Sequence, residues 1–131
     1  MMVEGATVST SRKFLVIASV FGLTGVALGA FGAHSLRSTI SSDMLAVFET
    51  GVRYQMYHAF ALFVASWSLK ARPSRKFRNA AWLFVVGVIL FSGSLYALAV
   101  TGIRSLGFVT PLGGLSLLAG WLALGLGFWE K

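Results

Sequence analysis

The chain has no cysteine and little charge. Only 11% of its 131 residues are charged, and 56% are hydrophobic. The missing cysteine excludes disulfide bonds, thiolate metal sites and cysteine nucleophiles. So few charges cannot solvate a globular domain of this size, and the composition therefore excludes most classes of soluble protein.

Acidic residues are especially scarce, with four against eleven lysines and arginines, for a net charge of +7. A basic balance can indicate nucleic-acid binding. Here, however, most basic residues stand at the ends of apolar segments and in one loop, and none forms a basic helix face that could line a groove. Membrane topology explains this pattern better, and no nucleic-acid partner is expected.

Long apolar runs fill most of the sequence. Three are free of charge, Phe14–Ala33, Ala80–Gly102 and Leu112–Trp129, and a fourth, Tyr54–Leu69, contains one histidine. At ~1.5 Å per residue, helices of about 18 to 23 residues cross a hydrocarbon core of roughly 30 Å. The sequence predicts an all-α integral membrane bundle, a single domain over residues 14–131, with transmembrane helices at about residues 14–33, 52–69, 80–102 and 111–129.

The segments between these runs supply the remaining elements. Residues 1–13 are mostly polar and small, and we expect an N-terminal tail that ends at the membrane surface. The stretch before the second span is the least hydrophobic, and Ser41 or Ser42 can cap a helix with Asp43 in its first turn. This predicts an outer interfacial helix before the second span. A cleaved signal peptide over Phe14–Ala33 is the alternative, although signal cores usually run only about 7 to 15 apolar residues.

Basic residues predict the orientation in the membrane. In a four-span arrangement one side holds eight of them, Arg12, Lys13, Lys70, Arg72, Arg75, Lys76, Arg78 and Lys131. The other side holds three, Arg37, Arg53 and Arg104. Because Lys and Arg favour cytoplasmic loops, both termini are expected in the cytoplasm of a multi-pass inner-membrane protein. An aromatic belt of Trp67, Trp82 and Trp129 would lie on the same side.

Small residues recur at near-heptad spacing in the first and fourth spans. The stripes consist of Gly22, Gly25 and Gly29 in the first span and Gly113, Ser116, Gly120 and Gly127 in the fourth. Such stripes let membrane helices approach closely. Packing within the chain, a homo-oligomer and a membrane-protein partner within the bilayer are all open at this point.

A polar cluster is expected on the outer side. Its members are His34, Glu49, Arg53, Tyr54, Tyr57, His58, Ser92 and Ser94. A structural interpretation makes Glu49 and Arg53 an ion pair and gives His58 a hydrogen bond to a serine or tyrosine of a facing helix. A functional one makes the cluster a proton relay or the mouth of a binding site. A metal site is less favoured, because the spacing of its histidines and carboxylate is not diagnostic.

No reaction motif accompanies the cluster. The serines lack the sequence contexts of hydrolases or nucleotide-binding loops, and Thr110 followed by Pro111 indicates a helix start with Thr110 as the cap. We therefore expect no cofactor, no catalytic or metal residue and no enzyme activity. Chemistry on lipid headgroups is the weaker alternative. The leading hypothesis is a structural or accessory protein that binds helices or lipids, and the second is a small carrier or proton-linked permeation unit.

Several motifs resemble one family along nearly the whole chain, from about Phe14 to Trp129. They are Gly-Ala-Phe-Gly-Ala-His at residues 29–34, Phe-Glu-Thr-Gly-Val-Arg-Tyr-Gln-Met-Tyr-His at 48–58, Phe-Ser-Gly-Ser-Leu-Tyr at 91–96, Thr-Pro-Leu-Gly-Gly at 110–114, and Gly-Trp at 120–121. The chain resembles the family of domain of unknown function 423, which includes bacterial inner-membrane proteins and the animal transmembrane protein 256. The resemblance implies a small four-span protein and supplies no catalytic residues.

Overall fold

The computed structural model describes residues 2–130, with side chains from Gly5 onward. Across these residues it contains four α-helices and no strand: α1 is Met2–His34, α2 is Ser42–Ala71, α3 is Arg75–Thr101 and α4 is Thr110–Trp129. Short 3-10 helices, Leu36–Ser38 and Arg104–Phe108, lie in the first and third connectors. Lys131, which the charge count includes, lies outside the described residues.

Local sequence signals account for the helix ends. The Ser41 side chain accepts a hydrogen bond from the Met44 amide at 3.2 Å and caps α2, with Asp43 in its first turn. At the end of α3, Gly102 adopts a left-handed conformation with φ of 70°, which glycine reaches without a steric penalty. The prediction for Thr110 was wrong by one residue, because Thr110 is the first residue of α4 and Val109 precedes it as the cap.

Two predicted boundaries do not exist as breaks in the structure. The expected N-terminal tail is helical from Met2 and continues directly into the first span, and Ser11 and Phe14 are each only 1% exposed. The expected interfacial helix and second span are one continuous helix, α2. No proline interrupts either segment, so the backbone hydrogen bonds of the helix continue across the change in polarity.

Three segments are long and apolar enough to cross a membrane, Gly5–Ser38, Arg75–Thr101 and Arg104–Trp129. Helix α2 is not among them. Its first half carries Asp43, Glu49 and Arg53, and polar residues continue into its second half. At 30 residues it is nonetheless long enough to span a bilayer, at about 45 Å.

The helices form an open row. Helix α1 packs on α2, α2 on α3 and α3 on α4, whereas α1 and α4 share no extensive contact. One apolar cluster holds Phe14, Leu62, Phe84 and Leu124, and a smaller one joins Leu36, Phe48 and Ala99 at the far end. Because α1 and α4 are edges of the row, each keeps one apolar face outside the core.

The two small-residue stripes face different neighbours within the chain. Along α4, a Cβ placed on Gly113 would meet the Phe91 backbone, and one on Gly120 would meet the Phe84 ring. Along α1, Gly25 faces Met56 and Gly29 faces Val52, both on α2, while a Cβ on Gly22 would enter open space. The stripes therefore bring α4 against α3 and α1 against α2, and they do not meet each other.

Basic residues collect at one end of the row, called here the basic end. It consists of the start of α1, Glu130, and residues 70–78, which are called here the connector and include the last residues of α2, the turn and the first residues of α3. There Arg72 donates a hydrogen bond to the Glu130 carbonyl at 2.7 Å and another to the Gly127 carbonyl, which satisfies the C-terminus of α4. Lys76 forms an ion pair with Glu130. The exposed rings of Trp67, Trp82 and Trp129 lie towards this same end.

Candidate functional site

The predicted polar cluster divides into an exposed group and a buried group. His34, Glu49, Arg53, Tyr54 and Tyr57 are exposed. His58, Ser92 and Ser94 are buried. In the part of the chain that the structure describes, the expected ion pair between Glu49 and Arg53 is not formed. Two exposed side chains gain only about 0 to 1 kcal/mol from such a pair, which leaves little force to hold them together.

His58 is held from two sides at the centre of the buried group. Its side chain is 5% exposed. Its Nδ1 lies 2.7 Å from the Tyr54 carbonyl oxygen, and the Trp121 indole N–H donates to its Nε2 at 3.1 Å. An indole nitrogen can only donate and a carbonyl can only accept, so the ring must carry its proton on Nδ1. Both ring nitrogens are thereby occupied, and the partner on the facing helix is a tryptophan where a serine or tyrosine was expected.

Gln55, one turn before His58, connects three helices. Its Nε2 donates to the Phe21 carbonyl and to the Thr24 hydroxyl, each at 2.8 Å, and its Oε1 accepts from the Tyr96 hydroxyl at 2.8 Å. The side chain is 4% exposed. A single amide thus ties α1 and α3 to α2, with both of its polar atoms engaged.

Gln55 does not belong to the predicted polar cluster, although the sequence contains a signal for it. Gly51, Gln55 and His58 are spaced four and three residues apart and therefore share one face of α2. The residues chosen as a possible ion pair and its neighbour, Glu49, Arg53 and Tyr57, lie on another face, which the structure leaves exposed. No comparable signal exists for Trp121, which is 63 residues from its partner.

The two serines of α3 bond to neighbouring helices. The Ser92 hydroxyl donates to the Gly51 carbonyl of α2 at 2.7 Å. The Ser94 hydroxyl lies 2.7 Å from that of Thr110, at the start of α4. Among the described residues, no buried side-chain nitrogen or oxygen lacks a hydrogen-bond partner. Gln55, His58, Ser92 and Ser94 thus form interhelical contacts, whereas the buried hydroxyls of Ser11 and Ser66 donate to carbonyls of their own helices.

Metal binding has no matching geometry here. Among residues 5–130, whose side chains the structure describes, no three His, Cys, Asp or Glu side chains come together in a way that could hold a metal ion. The lone pair of His58 Nε2 is already used by Trp121. His34 is exposed at the end of α1.

A lateral groove opens beside His58, between α2 and α4. It has a volume of about 590 Å³. Its lining is almost entirely apolar, with Tyr54 and His58 on α2, Phe91 on α3, and Pro111, Gly114, Leu115, Leu117, Leu118 and Trp121 on α4. The groove exists because α2 and α4 both pack on α3 with little direct contact between them.

The sequence matches the family model described as "Protein of unknown function (DUF423)" over residues 28–114, more than half of the chain. The chain belongs to the DUF423 family. Among relatives, it is 44% identical to the UPF0382 membrane protein YwdK of Bacillus subtilis, an alignment that covers 86% of this chain and 93% of the relative. It is 42% identical to the UPF0382 inner membrane protein YgdD of Escherichia coli K12, over 90% of each chain. No solved structure matches the chain.

The DUF423 match covers most of the residues that join the helices, but not the α1 partners of Gln55, Phe21 and Thr24, nor Trp121 on α4. It contains Gln55, His58, Ser92 and Ser94, whereas Trp121 lies beyond residue 114. The family description assigns no function, and the relatives are named as membrane proteins. This DUF423 chain is accordingly a membrane protein to which the family assigns no specific reaction.

Proposed function

We propose that this DUF423 protein is an accessory membrane protein that holds the acyl chain of a membrane lipid in the groove between α2 and α4. The main support for this proposal is the size and position of the groove. Its volume of about 590 Å³ falls within the range of roughly 300 to 1,000 Å³ typical of ligand sites. From Pro111 to Trp121 its α4 wall rises ~15 Å, about half the thickness of a hydrocarbon core.

The chemistry of the groove favours an apolar ligand. The side chains that face it from α4 are leucines, Pro111 and Trp121, and the two nitrogens of His58 are engaged by Tyr54 and Trp121. The groove therefore offers few polar groups that could hydrogen-bond to a hydrophilic solute. The proposal assigns no reaction and no cofactor to the chain.

The carrier or proton-relay alternative has less support. A relay needs titratable side chains in sequence, yet His34 and Glu49 are exposed at one end and His58 is buried with both nitrogens bonded. Serines and the Gln55 amide around it bond to neighbouring helices. These bonds favour an assembly role for the buried polar residues.

The proposal includes four membrane crossings with both termini and the connector Lys70–Arg78 in the cytoplasm. Helix α2 packs between α1 and α3, and both of these helices are apolar enough to span a membrane. If α1 and α3 cross the bilayer, α2 crosses it with them, because it is packed against both. The exposed tryptophans near the connector fit the level of the headgroups. Relatives named as inner membrane proteins support the same location.

Reporter fusions test whether α2 crosses. A periplasmic phosphatase fused after Ile40 should be active and one fused after Arg72 inactive, while fluorescent-protein fusions at the same positions should give the reverse. The reason is that α2 separates these positions by its full length of 30 residues. Equal phosphatase activity at both positions would show that α2 lies on the membrane surface.

Quenching by brominated acyl chains tests the groove. In a variant with Trp67, Trp82 and Trp129 changed to Phe, Trp121 is the remaining indole. In detergent micelles, brominated phospholipid should quench Trp121 fluorescence saturably. Gly114→Leu, which places a side chain in the groove, should raise the lipid needed for half-maximal quenching by about tenfold.

Gly125→Leu is the matched control, because it lies on α4 outside the groove lining with open space around it. In this control, brominated phospholipid should quench Trp121 fluorescence with the same half-maximal concentration as in the parent variant. Equal quenching in the Gly114 and Gly125 variants would refute an acyl-chain site. A crosslink from Leu118 to a second copy, together with no saturable quenching, would assign the groove to a homo-oligomer instead.

A further inference from the structure

A second cavity lies at the basic end, between the first turns of α1 and the α2–α3 connector. Its volume is about 280 Å³. Thr7 and Thr10 line it from α1, Leu69 from the end of α2, and Ser74, Arg75 and Arg78 from the turn before α3 and the start of α3. It combines two guanidinium groups, hydroxyls and an apolar wall in one recess.

The two arginines of this cavity differ from the other cations of the connector. Arg72 donates to the carbonyls of Gly127 in α4 and of Glu130, which follows α4. Lys76 is paired with Glu130, and Lys70 lies over the Trp67 ring with Nζ 5.8 Å from its centroid. Among the side chains that the structure describes, those of residues 5–130, no ion-pair or hydrogen-bond partner contacts the guanidinium groups of Arg75 and Arg78, and both are exposed. Two positive charges therefore line the cavity without an ion pair to any carboxylate of residues 5–130.

The backbone adds to this positive potential. Helix α3 begins at Arg75 with no acidic residue in its first turn, and its 27 residues carry the positive end of their dipole at this point. Ser74 caps the helix through the Lys76 amide at 3.2 Å. An anion in the cavity would thus lie beside two arginines and a helix N-terminus.

We propose that this cavity binds the phosphate of an anionic membrane lipid headgroup. Arginine donates paired hydrogen bonds that match phosphate oxygens. The cavity is smaller than most sites for drug-sized ligands, which suits a headgroup. The exposed Trp67, Trp82 and Trp129 lie towards the same end, where indole rings favour the headgroup level. This site is at the opposite end of α4 from the mouth of the groove at Pro111, and it does not depend on the groove.

Native mass spectrometry of the full-length chain, released from detergent with equimolar phosphatidylglycerol and phosphatidylcholine of the same chains, tests the proposal. The unmodified chain should retain phosphatidylglycerol preferentially. The double variant Arg75→Gln, Arg78→Gln should reduce this preference by about tenfold, because it removes both guanidinium partners of the phosphate.

The control Arg12→Gln, Lys13→Gln removes the same charge from exposed positions near the same end that do not line the cavity. It should keep the preference. An equal loss of the phosphatidylglycerol preference in both double variants would show that the preference comes from diffuse electrostatic attraction, and it would contradict a binding site in this cavity. Absence of any preference in the unmodified chain would do the same.

A competition experiment identifies the ligand. Inorganic phosphate should not displace the lipid at millimolar concentration, and displacement would assign the cavity to free phosphate.

A second pair of variants tests the cavity without a change of charge. Ala6→Phe, which fills the cavity, should lose the preference for phosphatidylglycerol, whereas Gly5→Phe, whose position is outside the lining, should keep it. Retention of the preference by Ala6→Phe would contradict the proposal.

Discussion

Gly113→Ala should lower the free energy of unfolding by about 2 kcal/mol, because overpacking a filled interface typically costs ~1 to 3 kcal/mol. A Cβ at this position would meet the backbone nitrogen of Phe91 and lie 2.7 Å from its Cα. Backbone atoms cannot rotate aside as a side chain can, so α3 and α4 must separate to admit the methyl group. Reversible unfolding in mixed micelles by SDS, followed by circular dichroism, measures the change.

The adjacent residue provides the matched control. A Cβ on Gly114 would lie 3.8 Å from the Phe91 ring, which is ordinary van der Waals contact. Gly114→Ala should therefore change the unfolding free energy by less than about 0.5 kcal/mol. If the two substitutions were equally costly, helix contact at Gly113 would not be the cause. If Gly113→Ala were neutral, α3 and α4 would not be packed as closely as described.

Gln55→Leu should destabilise the fold by about 2 kcal/mol. It removes three hydrogen bonds that tie α1 and α3 to α2 while nearly preserving side-chain volume. Interhelical hydrogen bonds in membrane proteins average about 0.6 kcal/mol and reach ~1.7. The Tyr96 hydroxyl also loses its partner, which adds a desolvation cost. The same unfolding titration gives the magnitude.

Two companion variants separate these contributions. Tyr96→Phe removes one of the three bonds and should cost about 0.6 kcal/mol. Ser19→Ala, at an exposed position whose hydroxyl bonds only within α1, should cost less than about 0.5 kcal/mol. A double-mutant cycle between Gln55 and Tyr96 should show coupling, since the residues are in direct contact. Strict additivity would mean that the bond does not contribute to stability.

Local sequence patterns predicted where α2 begins and ends better than they predicted that it is one continuous helix. The Ser41 cap and the stop at Pro73 mark the two ends of α2, since each acts on the neighbouring backbone. The change in polarity at about Gly51 was interpreted as a junction between two helices. It is only a change of surroundings, because backbone hydrogen bonds in a helix do not depend on which side chains it carries.

The candidate site was harder to predict, since charge and burial select different residues. Glu49 and Arg53 attract attention as charged groups near a membrane span, yet they are exposed and unpaired with each other. Gln55 is uncharged, and its importance depends on Phe21, Thr24 and Tyr96, all more than 30 residues away in the chain. A pattern of spacing along α2 indicates a shared face and does not identify what that face meets.

The sequence alone determined that this is a helical membrane protein of the DUF423 family with its basic residues concentrated at one end. The helical membrane character and the charge asymmetry follow from the length of the apolar runs and from the positions of Lys and Arg, and the family follows from motifs along the chain. Only the tertiary structure decided that the helices form an open row, that the two small-residue stripes face different partners, and that Trp121 meets His58. The physical reason is that the packing of helices depends on shape complementarity and hydrogen bonds between residues far apart in sequence. The periodicity of one helix does not indicate which other helix its face contacts.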